Sequence, residues 1–354
     1  MILLTTLLPI LLSTGSPVEM AVLSSVSWPE KVERRVAAMG TELTLQLVGK
    51  DRAHALEASA QAIEVIEAVE TRLSTWSQDS ELSRWNQSPG TRPVSISPEL
   101  AEDLRRAFYW RDETRGAFNP AIGALLVAWD LRGSGRIPSE AQRLAAQRTA
   151  EPCLLHYDPA GKTLERRCAD VRVEEGGFGK GVALDRAMAA LKRAGIQRAS
   201  LDFGGQAVVS SSGDEDWTFA LGHPEERLRG VLTISIPSGS IATSGNSERG
   251  ITIDGKRIGH LLDPRTGLPA VDFGTLTVWA KSATDADCLS TALYVMGPAK
   301  ALRFASTRSD VEVVILKIKG ERISARASSG LRGRLSALDS TVEIEWSPTT
   351  DNAR

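Results

Sequence analysis

Hydrophobic and polar residues alternate through "AAMGTELTLQLVG", Ala37 to Gly49, as they do in a half-buried strand. The period then lengthens. In "AHALEASAQAIEVIEAVETRL", Ala53 to Leu73, apolar residues recur every three or four positions, which predicts an amphipathic helix. A second helix is expected behind Ser97 and Pro98 in "SPELAEDLRRAFYWRDETRG" and a third in "SEAQRLAAQR". "LLHYDPAGKTLERR" reads as a hairpin turning at Pro159-Ala160-Gly161. It leads into "VRVEEGGFGKGVALDRAMAALKRAG", where a strand meets a Gly-rich turn and a helix starts near Lys180. "ASLDFGGQAVVSS", "DWTFALGHP", "LTISIPSGSIATSG" and "LTVWAKS" are strand-rich, and "TDADCLSTALYVMG" is a helix ending at Gly297. The last element expected is a hairpin, "VEVVILKIKGERISA", before a loose polar tail over 347–354. No repeat and no Pro/Gly/Ser-rich linker divides the chain. The pattern predicts one intertwined α+β domain over residues 29–345, built of mixed, largely antiparallel sheets with flanking helices.

Composition narrows the function more than the fold. Of 354 residues, 42% are hydrophobic and 24% charged, and 42 basic against 44 acidic side chains leave a net charge of −2. Such a balance gives no general attraction to nucleic acid or anionic lipid, so specific binding must come from a site. The start, "MILLTTLLPILLSTGSP", carries an apolar run from Ile2 to Leu12 followed by small residues, which reads as a signal peptide over 1–19 and implies export, with a periplasmic address. The run is shorter than the roughly 20 residues a membrane span needs. No Lys or Arg precedes it, and a start at Met20 would give a cytoplasmic chain. No cysteine lies just after Leu12 to carry a lipid anchor. Cys153 and Cys168 flank the expected hairpin, either bridged or as two free thiols, and Cys288 is left over.

Four stretches could carry chemistry. "EEGGFGKG", Glu174 to Gly181, sets glycines and Lys180 at a strand-to-helix junction, where backbone N–H groups and a helix start favour an anion. The spacing is not that of a P-loop, and a merely close-packed turn would look the same. Asp287 and Thr291 lie four residues apart on one helix face, with Asp285 on another; carboxylate and hydroxyl are hard oxygen ligands of the kind Mg²⁺ accepts. An acid in a first helical turn can equally serve the helix dipole. His260, in "GHLLDPRTGLPA", is open to three roles: general base, brace of the turn, or satisfied structural histidine. Trp76, in a Ser-rich loop, is either a packing residue or a stacking face.

Their order along the chain resembles the FAD:protein FMN transferase family, the ApbE-type flavin transferases, over roughly residues 35–330. The matching features are Met39-Gly40-Thr41, Ser74-Thr75-Trp76, Ser80-Glu81-Leu82-Ser83 with Asn86, and Gly116-Ala117-Phe118-Asn119-Pro120. Glu174 to Gly181 stands where the family has Asp-Leu-Gly-Gly-Ile-Ala-Lys-Gly. Then come Gly204-Gly205, Thr243-Ser244-Gly245, the specific His260-Leu261-Leu262-Asp263-Pro264-Arg265-Thr266-Gly267 motif, and Ala286-Asp287 with Thr291.

The resemblance implies an ApbE-like, T-fold-like architecture and a pocket for FAD lined by Met39, Trp76, Ala117, Phe118, Asn119, Glu174, Lys180 and Leu262. It implies Mg²⁺ held by the Gly177 carbonyl, the Asp287 carboxylate and the Thr291 hydroxyl. It implies attack of an acceptor protein's threonine on the FMN phosphorus of FAD, with AMP released and His260 or Asp263 taking the proton. The acceptor expected is an electron-transfer subunit. Two alternatives use the same pocket: a metal-dependent FAD pyrophosphatase yielding FMN and AMP, and a protein that only binds FAD. Asn119 for a usual Asp, Glu174 for Asp and Gly179 for Ala depart from the family pattern.

Overall fold

The computed structural model describes residues 31–246, 250–253 and 255–348. The expected export segment over 1–19, the alternative start at Met20 and the end of the tail from residue 349 lie outside the described residues. The frame is a nine-stranded sheet. Its strands, β1 to β9, are Lys31–Ala38, Thr41–Val48, Arg198–Asp202, Gln206–Ser211, Gly239–Gly245, Thr275–Ala280, Val311–Lys319, Arg322–Ala327 and Val342–Trp346. Their order in the sheet is their order in the chain, and neighbours run antiparallel except β8 and β9.

Everything else is inserted between consecutive strands. The β2–β3 connection holds α1 (Arg52–Leu73), α2 (Glu81–Gln87), α3 (Pro98–Glu113), α4 (Gly123–Trp129), α5 (Glu140–Arg148), the Leu155–Asp158/Thr163–Arg166 hairpin and α6 (Gly179–Arg193). The β6–β7 connection holds α7 (Ala283–Met296) and α8 (Pro298–Ser306). Serine or aspartate side chains cap α1, α2, α3, α5 and α7 at Asp51, Ser80, Ser97, Ser139 and Ser282, each accepting a first-turn N–H.

Both faces of the sheet are covered. Helices fill one side, where Ala62, Ile66, Leu104, Leu184 and Leu289 pack on Leu45, Leu201, Val313 and Ile315. A second sheet of Trp217–Gly222, Gly230–Ile236 and Leu335–Ala337 fills the other, with Phe219 and Ile234 against Ile241, Val314 and Leu316. Successive residues of β7 thus enter opposite cores, which is why that strand reads as an unbroken apolar run.

Three expectations need correction. Met39-Gly40 is not strand interior but a two-residue turn, with φ of 50° and 71°, closing the β1–β2 hairpin at the Ala38/Thr41 pair. Positive φ at both positions is the type I′ requirement, usually met by Asn-Gly, so a methionine there gives no turn signal. The β7–β8 hairpin is not the last element, because Val342–Trp346 returns parallel to β8. Finally, α2, α4 and α8 were not foreseen: the first two are only seven residues long, and α8 follows α7 with Gly297 alone between them. The expected hairpin after Cys153 is present, and all three cysteines are free thiols.

Candidate active site

The two stretches singled out at the Gly-rich turn and at Asp287 meet where α6 and α7 cross. Gly181, in the first turn of α6, comes so close to α7 that a Cβ there would lie 2.5 Å from the Ala283 carbonyl oxygen and 2.6 Å from the Thr284 Cα. That approach lets the Gly181 N–H donate to Asp287 Oδ2 at 3.0 Å. Helix α6 has no side-chain cap of its own at Phe178, so a carboxylate from α7 serves its positive end. Asp287 is the fifth residue of α7 and 6% exposed; the acid in the first turn is Asp285, which pairs with Arg106 and accepts from Trp110 Nε1 at 2.7 Å. The dipole-partner role weighed for Asp287 therefore belongs to α6 rather than to its own helix. Burial pushes the Asp287 carboxyl up, while the Lys180 charge and the Gly181 N–H pull it down. One turn on, Thr291 Oγ1 lies 3.5 Å from where a Gly177 Cβ would project, so the Asp287–Thr291 face of α7 meets the Gly-rich turn.

Asp185 of α6 locks this crossing. Its carboxylate accepts from Ala283 N at 2.7 Å, Thr284 N at 2.9 Å, and the Ser282 and Thr284 hydroxyls at 2.7 Å each.

The His260 stretch follows the hairpin Gly250–Ile253/Lys256–Gly259 in the β5–β6 connection, and is gripped by α4 and α5. Trp129 Nε1 donates to Gly267 O at 2.9 Å, Gln147 Nε2 to Arg265 O at 3.2 Å, and Arg143 to Thr266 O. Within the turn, Asp263 O accepts from Gly267 N at 2.7 Å, and its carboxylate holds Arg265 by a two-pronged pair at 2.8 and 2.7 Å. Leu262 is buried on the α4–α5 side, among Leu125, Trp129 and Ile258, rather than in an open wall. His260 is half-buried at the bend just before it.

The 116–119 loop bridges these parts. Gly116 lies against the Arg265 side chain, and the Phe118 ring edge is 3.0 Å from the Gly177 Cβ position. Ala117 and Phe118 are buried. Asn119, buried as well, donates through Nδ2 to Ala150 O at 2.6 Å and accepts from Ala121 N at 2.9 Å. An aspartate could make only the second bond, so the departure from the family pattern has a structural use here. Met39 reaches the same region, its methyl 3.5 Å from the Gly179 Cβ position, and its N–H donates to Glu70 of α1 at 3.0 Å.

A polar knot closes the other edge. The Thr75 N–H donates to Glu175 at 3.0 Å and its hydroxyl to Glu174 at 2.8 Å. Arg132 pairs with Glu174 and donates to Thr75 O at 2.9 Å, its guanidinium 4.4 Å above the Trp76 ring centroid. Burial, then the neighbouring Glu175 charge, push Glu174 up to about 7 against the opposing pull of Arg132. Glu70, Thr75, Arg132, Glu175 and Asp185 were not singled out from the sequence. Only Glu175 carried a signal, standing where the family pattern has Leu. The distinct groove between α1 and α6, lined by Gln61, Glu64 and Arg193, shares none of these residues.

The sequence profile of the ApbE family matches residues 39–315. The chain belongs to the ApbE family. Among its relatives, an FAD:protein FMN transferase of Klebsiella pneumoniae (strain 342) is 32% identical over 291 residues, 79% of this chain and 82% of the relative. One of Treponema pallidum (strain Nichols) is 27% identical over 332 residues, 88% of this chain and 91% of the relative. The crystal structure of the ApbE protein of Thermotoga maritima superposes with a TM-score of 0.74 at 27% identity, covering 81% of this chain and 94% of that one. The flavin transferase ApbE of Vibrio cholerae shares the fold, with a TM-score of 0.74 at 24% identity over 86% of this chain and 99% of that one. The mixed α+β sheet with flanking helices is thus the ApbE architecture.

Proposed function

We propose that this chain is an FAD:protein FMN transferase that moves FMN from FAD onto a threonine hydroxyl of an acceptor protein and releases AMP. The observation that carries the reading is the α6–α7 crossing. There a helix start and Lys180 meet the buried Asp287 carboxylate, with the Thr291 hydroxyl beside the Gly-rich turn at Gly177, in a chain whose relatives bear the transferase name.

The donor set fits Mg²⁺. Among the described residues no group of three His, Cys, Asp or Glu gathers as a cage, whereas Mg²⁺ takes one or two carboxylates with waters and substrate phosphates completing its shell. The Gly177 carbonyl, Asp287 and Thr291 would hold it, and when bound it supplies neutralisation of charge on the pyrophosphate. Lys180, at the positive end of α6, orients the phosphates. The threonine oxygen forms a bond to the FMN phosphorus, the P–O bond to the AMP phosphate breaks, and AMP leaves with that oxygen. His260 takes the threonine proton. The Asp263 carboxylate is engaged by Arg265, which supports a bracing role for it rather than that of base. We propose that the acceptor is an electron-transfer subunit and that the chain is exported to meet it.

The test is incubation of pure protein with FAD and MgCl₂, with and without a threonine-bearing acceptor peptide. Covalent FMN on threonine together with AMP is the expected result, lost in Asp287→Ala and slowed by about 10²–10⁴ in His260→Ala. Free FMN and AMP without acceptor would make the protein a pyrophosphatase, and neither product would leave a flavin binder.

A further inference from the structure

We infer that Arg132 is a positioning residue for FAD: by lying against one face of Trp76 it fixes that ring as a platform on which a planar ring of the dinucleotide stacks. The inference rests on FAD being the substrate. Trp76 is 70% exposed, an unusual state for a tryptophan in a chain whose other large aromatic rings are mostly buried. One of its faces is covered. The Arg132 guanidinium carbon sits 4.4 Å from the ring centroid, within cation–π range. That guanidinium cannot drift, because it donates to Thr75 O at 2.9 Å and also engages the Thr75 hydroxyl and the Glu174 carboxylate. A planar fork bonded at its edge leaves its face for the indole, which a lysine's point charge cannot reproduce.

The platform stands beside the α6–α7 crossing. Thr75, next to Trp76, is bound to Glu174 and Glu175, and Gly177 follows two residues later. Arg132 arrives on the turn after α4, the helix whose Trp129 holds Gly267 in the His260 stretch. One short helix therefore braces both ends of the site. A tryptophan held flat, with one side cationic and the other open to water, suits a flat aromatic ring. FAD offers two, the isoalloxazine and the adenine.

A double-mutant cycle read by FAD affinity, from flavin fluorescence, tests this. Trp76→Ala is expected to weaken FAD by about tenfold and Arg132→Ala by about fivefold, magnitudes typical of stacking and cation–π contacts. Because Arg132 acts through the ring, the double variant should bind no more weakly than Trp76→Ala. Losses that multiply would overturn the inference. Arg132→Lys keeps a charge opposite Glu174 and guards against a folding artefact; it should melt like the parent yet lose most of the affinity that Arg132→Ala loses, and parental affinity in it would also overturn the inference. In steady state, KM for FAD should rise in Arg132→Ala far more than kcat falls. Parallel titrations with FMN and with ADP identify the stacked ring as the one whose fragment loses affinity in Trp76→Ala. If FAD, FMN and ADP all bind Trp76→Ala as they bind the parent while FMN transfer persists, the platform is wrong and the transfer reading stands. If the parent binds no FAD, the transfer reading itself fails.

Discussion

Replacing Gly181 by alanine tests the α6–α7 crossing with a single methyl group. The new Cβ would meet Ala283 O at 2.5 Å, about 0.9 Å short of an ordinary contact, and Thr284 Cα at 2.6 Å. Both atoms are backbone, and Asp185 pins the 282–284 segment that carries them through four hydrogen bonds, so no side chain can swing aside to relieve the contact. The helices must part. Overpacking of this kind costs about 1–3 kcal/mol, while alanine in place of glycine returns up to about 1 kcal/mol of helix propensity. A net loss of about 1–2 kcal/mol lowers Tm by only a few degrees in a chain of this size. The chemical consequence is larger, because the same displacement stretches the 3.0 Å bond from Gly181 N to Asp287 and moves Asp287 and Thr291 relative to Gly177. Misplacement by about 1 Å can cost about 10²-fold in rate. Gly181→Ala should therefore show kcat/KM reduced about a hundredfold and a raised half-saturating Mg²⁺ concentration, with calorimetry reporting a folded protein. Parental turnover and Mg²⁺ dependence would refute the argument that this contact sets the site.

Restoring the family's aspartate by Asn119→Asp should cost about 1–3 kcal/mol at neutral pH, since the bond to Ala150 O is lost and a charge faces that carbonyl. As a buried carboxyl with a raised pKa, the new group should leave the variant closer to the parent in Tm at pH 5 than at pH 8; equal Tm values at pH 8 would contradict this. Glu174, pushed up to about 7 from an ordinary 4.5, binds its proton more tightly folded than unfolded, so its contribution to the stability of metal-free protein falls as pH rises from about 4.5 to 7 and levels off above. Glu175→Gln removes the neighbouring charge and should flatten that slope in urea midpoints measured from pH 5 to 8; a parallel slope would argue against the coupling. A C-terminal reporter active only outside the cytoplasm should signal with the full chain and fall silent without residues 1–19, and signal from the shortened form would end the export proposal.

The long elements were readable because their burial follows one period. Ala55, Ala58, Ala62, Ile66, Val69 and Leu73 of α1 are all buried at spacings of three or four, and Ser97-Pro98 marks the start of α3. The Met39-Gly40 turn was not readable, since a left-handed methionine is held by a distant Glu70 rather than by local propensity. At the site, Asp287 and Thr291 share a face as their spacing requires, but the burial of Asp287 comes from α6, more than a hundred residues earlier in the chain. Arg132 and Asp185 are ordinary surface-type residues in the sequence, and their partners Trp76 and Thr284 become neighbours only in three dimensions.

The sheet keeps chain order, yet one of its pairings is unlike the others. Val48 of β2 lies opposite Arg198 of β3, so forming that contact closes a loop of about 150 residues, at an entropic cost of about 4 kcal/mol from its length alone. By contrast β1 and β2 meet across two residues. Folding speed tracks such sequence separations. The long connection can shorten this search by packing on itself, since α1 packs along α6 through residues that lie wholly within it. The Met39 turn then reaches the start of α6 only when the β2–β3 pairing zips. The junction of the Met39 turn with the start of α6 is accordingly expected to close late in folding, and a chain stalled before that step would carry most of its helices without it.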